Sequence, residues 1–313
     1  MKEHLATFLK GFAMGAANVV PGVSGGTIAY ITGIYERLIN ALKSFDLAAL
    51  KLLCRLDLLP LLRKIDAVFL MTLFLGVALS IVSLAQVLKV GFRDYPTLVW
   101  SLFFGLIVAS IPSVGRVIKK WSWSVCGCFS LGLGLAISMA LLTPASSNEN
   151  LIYLLLCGVA GMCSMIIPGL SGSFVLLLMG NYELIALDAI NDLRAGKFSE
   201  ALPILIPVGI GALVGLLSLS RALSWLFAKY HDQAVGSITG FITGSLVIIW
   251  PWKNAVVEGF QTDDGQLKEK IVSFENWHLP TLGGRDAWLE IGAMMIGVLI
   301  ILFTEFLSRK NRS

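Results

Sequence analysis

Two short strings in this chain carry the residue types of an anion site. Pro21-Gly22-Val23-Ser24-Gly25-Gly26-Thr27 and Pro168-Gly169-Leu170-Ser171-Gly172-Ser173 each set a helix breaker, a capping serine and glycines inside an apolar stretch. Proline lacks the N–H that would continue a preceding helix, and a serine oxygen accepts from the first amides of a new one. The new helix begins with N–H groups that have no partner within it and with the positive end of its dipole. Such an end, approached closely because glycines carry no side chain, is suited to a phosphate. The candidate phosphate ligands are therefore Gly22, Ser24, Gly25, Gly26 and Thr27 from the first string, and Gly169, Ser171, Gly172 and Ser173 from the second. The competing reading is packing alone, since small residues also let membrane helices approach one another.

The two strings are halves of a duplication. At an offset of 147, identities fall at Pro21/Pro168, Gly22/Gly169, Ser24/Ser171, Gly25/Gly172, Gly33/Gly180, Tyr35/Tyr182 and Glu36/Glu183. A weaker echo relates the segment from Gly105 to Pro112 with that from Gly244 to Pro251, at an offset of 139. Glu36 and Glu183, which follow Tyr35 and Tyr182, stand roughly 11 residues and ~16 Å of helix from the motifs, which favours gate or entrance groups over ligands of the same anion. These four residues are candidates for gating, or for coupling to protons or sodium, with a capping or salt-bridge role as the alternative. Arg221, inside the apolar run Leu216 to Phe227, is a functional candidate by its position in a membrane segment. Arg116 and Arg37 join it as residues that could capture a phosphate head group, with snorkelling or topogenic roles as the alternatives.

The elements that hold these residues must lie in a membrane. The 313 residues are 56% hydrophobic and 14% charged with a mean hydropathy of +0.81, against about 25% charged in soluble chains. Windows free of charge run from Lys10 to Glu36, Asp66 to Lys89, Asp94 to Arg116, Lys120 to Glu149, Glu149 to Glu183, Glu200 to Arg221 and Asp232 to Lys253. Each can hold the ~20 residues of a membrane helix, and no ~10-residue alternation suggests a β-barrel. The net charge of +4 is small and dispersed, which excludes nucleic acid as a partner. The five cysteines have no metal spacing and read as packing residues, so no metal and no cofactor is expected. Lys2 and Lys10 before an apolar stretch resemble a signal peptide, but a removable leader would not carry half of a repeat.

The predicted fold is an all-α polytopic membrane protein with an inverted structural repeat. Each half has one re-entrant helical hairpin, too short for two full spans, and three transmembrane helices. Residues 1–147 form the first half, with a hairpin at about 5–38 and helices at about 66–88, 97–114 and 122–143. Residues 148–313 form the second, with a hairpin at about 151–187 and helices at about 203–227, 234–250 and 287–307. The first hairpin's arms are expected at about 5–20 and 24–38. Basic residues at 37–64, at 116–120 and at the C-terminus put both termini in the cytoplasm. Three crossings in the first half would invert the second hairpin. Inverted repeats whose broken helices meet near the midplane are the signature of transporters.

Gly15 to Ala29, Gly33 to Ile39, Ile167 to Phe174, Gly244-Ser-Leu and Trp250-Pro-Trp252 closely resemble the polyprenyl-phosphate transporter family of bacterial inner-membrane proteins, over nearly the whole chain. The resemblance implies a flippase that returns undecaprenyl phosphate from the outer to the cytoplasmic leaflet for recycling in cell-envelope synthesis, with membrane lipid as its surroundings. Asn18 departs from the family, whose members often carry Asp there, so no protonatable role passes to it. The rival readings are a membrane phosphatase acting on undecaprenyl pyrophosphate, and a transporter of another anionic lipid or small anion. An enzyme is not expected, because His4, His231 and His278 lie outside both hairpins and neither motif carries an acid, base or arginine.

Overall fold

The computed structural model describes residues 2–19, 24–142, 144–261, 267–280 and 285–310. Apart from one pair of strands, the described residues are mainly helical. Helix α1 (Lys2–Val19) leads to α2 (Gly25–Ile31) and α3 (Tyr35–Lys43), and two short helices, α4 (Leu47–Cys54) and α5 (Leu58–Lys64), follow. Three long helices complete the first half: α6 (Ala67–Asp94), α7 (Pro96–Gly115) and α8 (Trp123–Ala140). The second half runs α9 (Leu151–Ile166), α10 (Gly172–Leu178), a π-helical turn Leu184–Asp188, α11 (Ala189–Arg194), α12 (Phe198–Lys229), α13 (His231–Ser245) and α14 (Arg285–Lys310). Five of these, α6, α7, α8, α12 and α14, are long and apolar enough to cross a membrane.

The expected helices are found with shifted bounds, and local chemistry accounts for the shifts. The helix expected at about 122–143 starts at Trp123 because Ser122 caps it, its oxygen accepting from the Val125 N–H. The one expected at about 234–250 ends at Ser245 and turns through Val247 and Ile248 ahead of Pro251, so its 15 residues fall short of a full crossing. The hairpin arms also differ from the expectation. Instead of one second arm to about residue 38, α2 stops and Tyr35 and Glu36 open α3. The stop is a Schellman motif: Gly33 sits at φ +71°, its N–H reaches the Tyr30 carbonyl, and Ile34 reaches Ala29. The second unit repeats it bond for bond, with Gly180 at φ +73° bonded to Leu177 and Asn181 to Leu176.

Strands were not expected, yet β1 (Asn254–Gln261) and β2 (Leu267–Glu275) pair antiparallel. They lie in the longest polar stretch of the chain, where Val256, Val257 and Ile271 favour extended backbone. Alternating short polar and apolar residues around Asp263-Asp264-Gly265 are a hairpin signal that hydropathy windows do not register.

Helices pack as α1 on α6, α9 on α12, α7 on α14 and α8 on α13. Glycines set every one of these crossings by letting backbones touch. Gly76 lies against the Phe8 carbonyl and Gly11 against that of Leu73; Gly211 lies against Leu155 and Gly158 against Val208. Likewise Gly105 meets Met294 and Gly297 meets Leu102, while Gly240 meets Phe129 and Gly132 meets Ser237. These contacts keep an offset of 147 for α1/α9 but 135 for α6/α12 and α7/α13, and 165 for α8/α14. The alignment thus pairs Gly105 with Gly240 rather than with Gly244. The buried core runs along these interfaces and includes Leu73, Val114, Val235, Ile242 and Ile249.

Candidate functional site

The helix that follows the first break meets the end of the helix that precedes the second. Helix α9 ends at Ile166 because Pro168 cannot continue it, which frees its last carbonyls. The first hairpin satisfies them: the Tyr35 hydroxyl donates to Ile166 at 3.1 Å and the Ser24 hydroxyl donates to Ile167 at 3.3 Å. Gly169, held at φ +90° where a side chain would strain the backbone, donates its N–H to the Thr27 hydroxyl at 2.7 Å. Thr27 and Pro168 are fully buried.

The two helix starts differ in how their amides are used. In α2 the Gly25 N–H donates to the Asn18 Oδ1 at 2.8 Å, the Gly26 N–H to the Ser24 hydroxyl at 3.2 Å, and the Thr27 N–H to the Ser24 carbonyl at 3.0 Å. In α10 the N-cap Ser171 makes no capping bond; its hydroxyl shares a 2.8 Å hydrogen bond with that of Ser173. The glycines following the serines lie against residues one repeat apart, Gly25 against Asn18 and Gly172 against Met165. One cavity of about 230 Å³ opens between the two motifs. Its polar lining is Asn18, Ser24, Ser171, Ser173 and Tyr182, with Gly172 beside them, and its apolar wall includes Met165, Leu170 and Leu176. Among the described residues, no carboxylate, lysine, arginine or histidine lines it. A group bound there meets hydroxyls, one carboxamide and the positive end of a helix, which is the chemistry of an anion site without an acid or base.

Of the residues singled out in the sequence, Ser24, Ser171, Gly172, Ser173 and Tyr182 line this cavity. Gly22 lies outside the described residues. Gly25 and Gly26 lie buried behind Ser24, while Thr27 and Gly169 bond to each other as a strut between hairpins. Tyr35 is likewise a buried strut. Arg37 grips Asp66 at 2.7 Å and Glu3 at 3.1 Å with its guanidinium 4.4 Å over Phe69. Arg221 bonds the carbonyls of Leu217 and Phe45, and Arg116 is exposed just beyond α7. None of the three arginines, nor Glu36 or Glu183, lines the cavity. Glu36 instead lies 3.4 Å from His231, whose other nitrogen faces Asp232 at 3.3 Å. Sequence reasoning missed that histidine because Glu36, the partner that ties it to the first hairpin, lies nearly 200 residues away in the chain. It also missed Asn18 as a cap, although the 147 offset matches Asn18 to Met165, the two residues that face the glycines.

Comparison with known proteins adds the following. The profile of a family described as undecaprenyl phosphate translocase-like matches residues 14–267. A protein of Vibrio cholerae serotype O1 named polyprenyl-phosphate transporter is 40% identical over 98% of this chain and 98% of its own length. One of Staphylococcus aureus with the same name is 29% identical over 78% of this chain and 85% of its own. No solved structure matches this chain.

Proposed function

Since the chain belongs to the undecaprenyl phosphate translocase-like family, we propose that it carries a polyprenyl phosphate across the bacterial cytoplasmic membrane, with the phosphate held in the cavity between the two Pro-Gly-x-Ser-Gly motifs. The observation that carries this reading is the convergence of two serine-led helix starts, one from each Pro-Gly-x-Ser-Gly motif, on one cavity where a few hydroxyls and a carboxamide stand among apolar side chains. An ionised phosphate left bare in hydrocarbon is prohibitive, on the order of 20 kcal/mol for an idealised ion. The hydroxyls, carboxamide and helix-start amides of a mid-membrane pocket offset part of that cost, and the isoprenoid tail stays in lipid. The uncapped start of α10 receives the phosphate first, because its amides need not exchange a partner. The capped start of α2 contributes when Asn18 and Ser24 yield theirs.

In this reading the halves are inverted repeats with re-entrant hairpins, both termini are cytoplasmic, and rocking of one half against the other opens the cavity to each leaflet in turn. The twofold recurrence of the glycine crossings supports the repeat. Net movement runs from the outer to the cytoplasmic leaflet, which returns the carrier for cell-envelope synthesis. Arg221 and Arg116 receive the head group at the cytoplasmic end; Arg37, already held by two carboxylates, does so less. Glu36 and Glu183 stay as candidates for ion coupling. The test is reconstitution into liposomes with undecaprenyl phosphate in the outer leaflet. The protein should speed its appearance inside, and a Gly172→Leu variant that folds should not. Flipping of unrelated lipids at the same rate, or phosphate release from the pyrophosphate form, would overturn it.

A further inference from the structure

Residues 45–65, between α3 and α6, form a helical arm whose surface does not suit water. Leu47 and Leu50 on α4, Leu56 in the turn, and Leu58, Leu59 and Leu62 on α5 are exposed, Leu47 by 76%, Leu56 by 77% and Leu59 by 70%. Ala49 is the buried apolar residue of the pair of helices. Lys51, Arg55 and Arg63 stand exposed among these leucines. The arm is closed at its base, where Asp46 accepts the Ala49 N–H at 2.8 Å and pairs with Lys64 at 3.0 Å. It then runs directly into the membrane helix α6, whose first exposed residues, Val68 and Met71, are apolar. Helix α5, about 10 Å long at 1.5 Å per residue, therefore cannot lie far from the bilayer surface. The second half has no counterpart: the repeat offset falls from 147 to 135 across this linker, so the first half is longer here by 12 residues (147 less 135).

We infer that this arm is an interfacial anchor, its leucines sunk among the acyl chains and Lys51, Arg55 and Arg63 at the phosphates of anionic lipids. Alternating leucines and cations fit that surface in both respects: apolar area enters the boundary, and each cation near an anionic leaflet adds to the attraction. Which leaflet the arm enters rests on the orientation proposed above, the cytoplasmic one; that an anionic bilayer holds it does not.

The test uses the full chain with an environment-sensitive fluorophore on Cys54, which is exposed on the same side of α4 as Leu47 and Leu50. The exposed Cys126 is replaced by alanine so that Cys54 reports. In vesicles containing phosphatidylglycerol, a nitroxide near the head of the acyl chain should quench the fluorophore, and aqueous iodide should not. Replacing Lys51, Arg55 and Arg63 singly by glutamine should shift the bound-to-free ratio of the arm about fivefold each, the equivalent of ~1 kcal/mol per cation. Raising the salt should act in the same direction. The readout requires no transport, so it stands or falls apart from the proposed function. Full iodide quenching without nitroxide quenching would overturn the inference, as would protection that vanishes when the protein is diluted in the bilayer, since a second copy would then be the cover.

Discussion

At the scale of single residues, the strut between hairpins is the feature most exposed to test. Thr27 is fully buried and accepts the N–H of Gly169. Thr27→Val keeps the shape but leaves that amide without an acceptor, which costs about 1–3 kcal/mol. A loss of thermal stability of that size in detergent, with Thr27→Ser restoring it, is the expected outcome. The sequence showed which types mattered here, serine, glycine and proline, but not how the labour divides among them. Ser24 and Ser171 occupy matched positions, yet one caps its helix and the other bonds to Ser173. The residue two places on differs too: Gly26 offers Ser24 only its N–H, whereas Ser173 at the matching place offers Ser171 a hydroxyl.

At the scale of elements, the crossings make a paired prediction. A side chain at Gly11 would strike the Leu73 carbonyl, and one at Gly158 would strike that of Val208. Gly11→Val and Gly158→Val should therefore destabilise by similar amounts, about 1–3 kcal/mol of overpacking each, measured as matched falls in melting temperature. A second prediction concerns Lys253, just past the Trp250-Pro-Trp252 turn. Its ammonium lies 4.4 Å from the Trp100 ring and donates to the Ile248 carbonyl, and burial pushes it down to about 7. A lysine depressed in the folded state opposes folding wherever the unfolded chain is protonated. Stability should therefore rise as the pH climbs from about 7 toward the ordinary lysine range near 10. Melting curves at pH 7 and 9 should show that rise in the parent and lose most of it in Lys253→Met. Element boundaries were legible to within a few residues where a cap or proline marks them, as at Ser122 and Pro96. The hairpin breaks at Gly33 and Gly180 escaped notice because a Schellman stop depends on backbone dihedrals that an apolar window conceals.

At the scale of the molecule, the sequence displays the motif match at an offset of 147, but not the matched glycine crossings at other offsets. Insertions hide them: the leucine-rich arm changes the offset from 147 to 135, and the β-hairpin stretch between α13 and α14 changes it again to 165. A gapless comparison at 147 therefore cannot align the glycine crossings of the later helices, which match at offsets of 135 and 165. The account's central claim is that both halves hold one phosphate. It is tested most directly by a structure of the protein in lipid with a polyprenyl phosphate bound. The account predicts the phosphate within hydrogen-bonding distance of the Ser171 hydroxyl and the first amides of α10, with Ser24 and Asn18 on the opposite side. A phosphate bound away from the cavity, or one held by the arginines alone with both motifs unchanged, would contradict it.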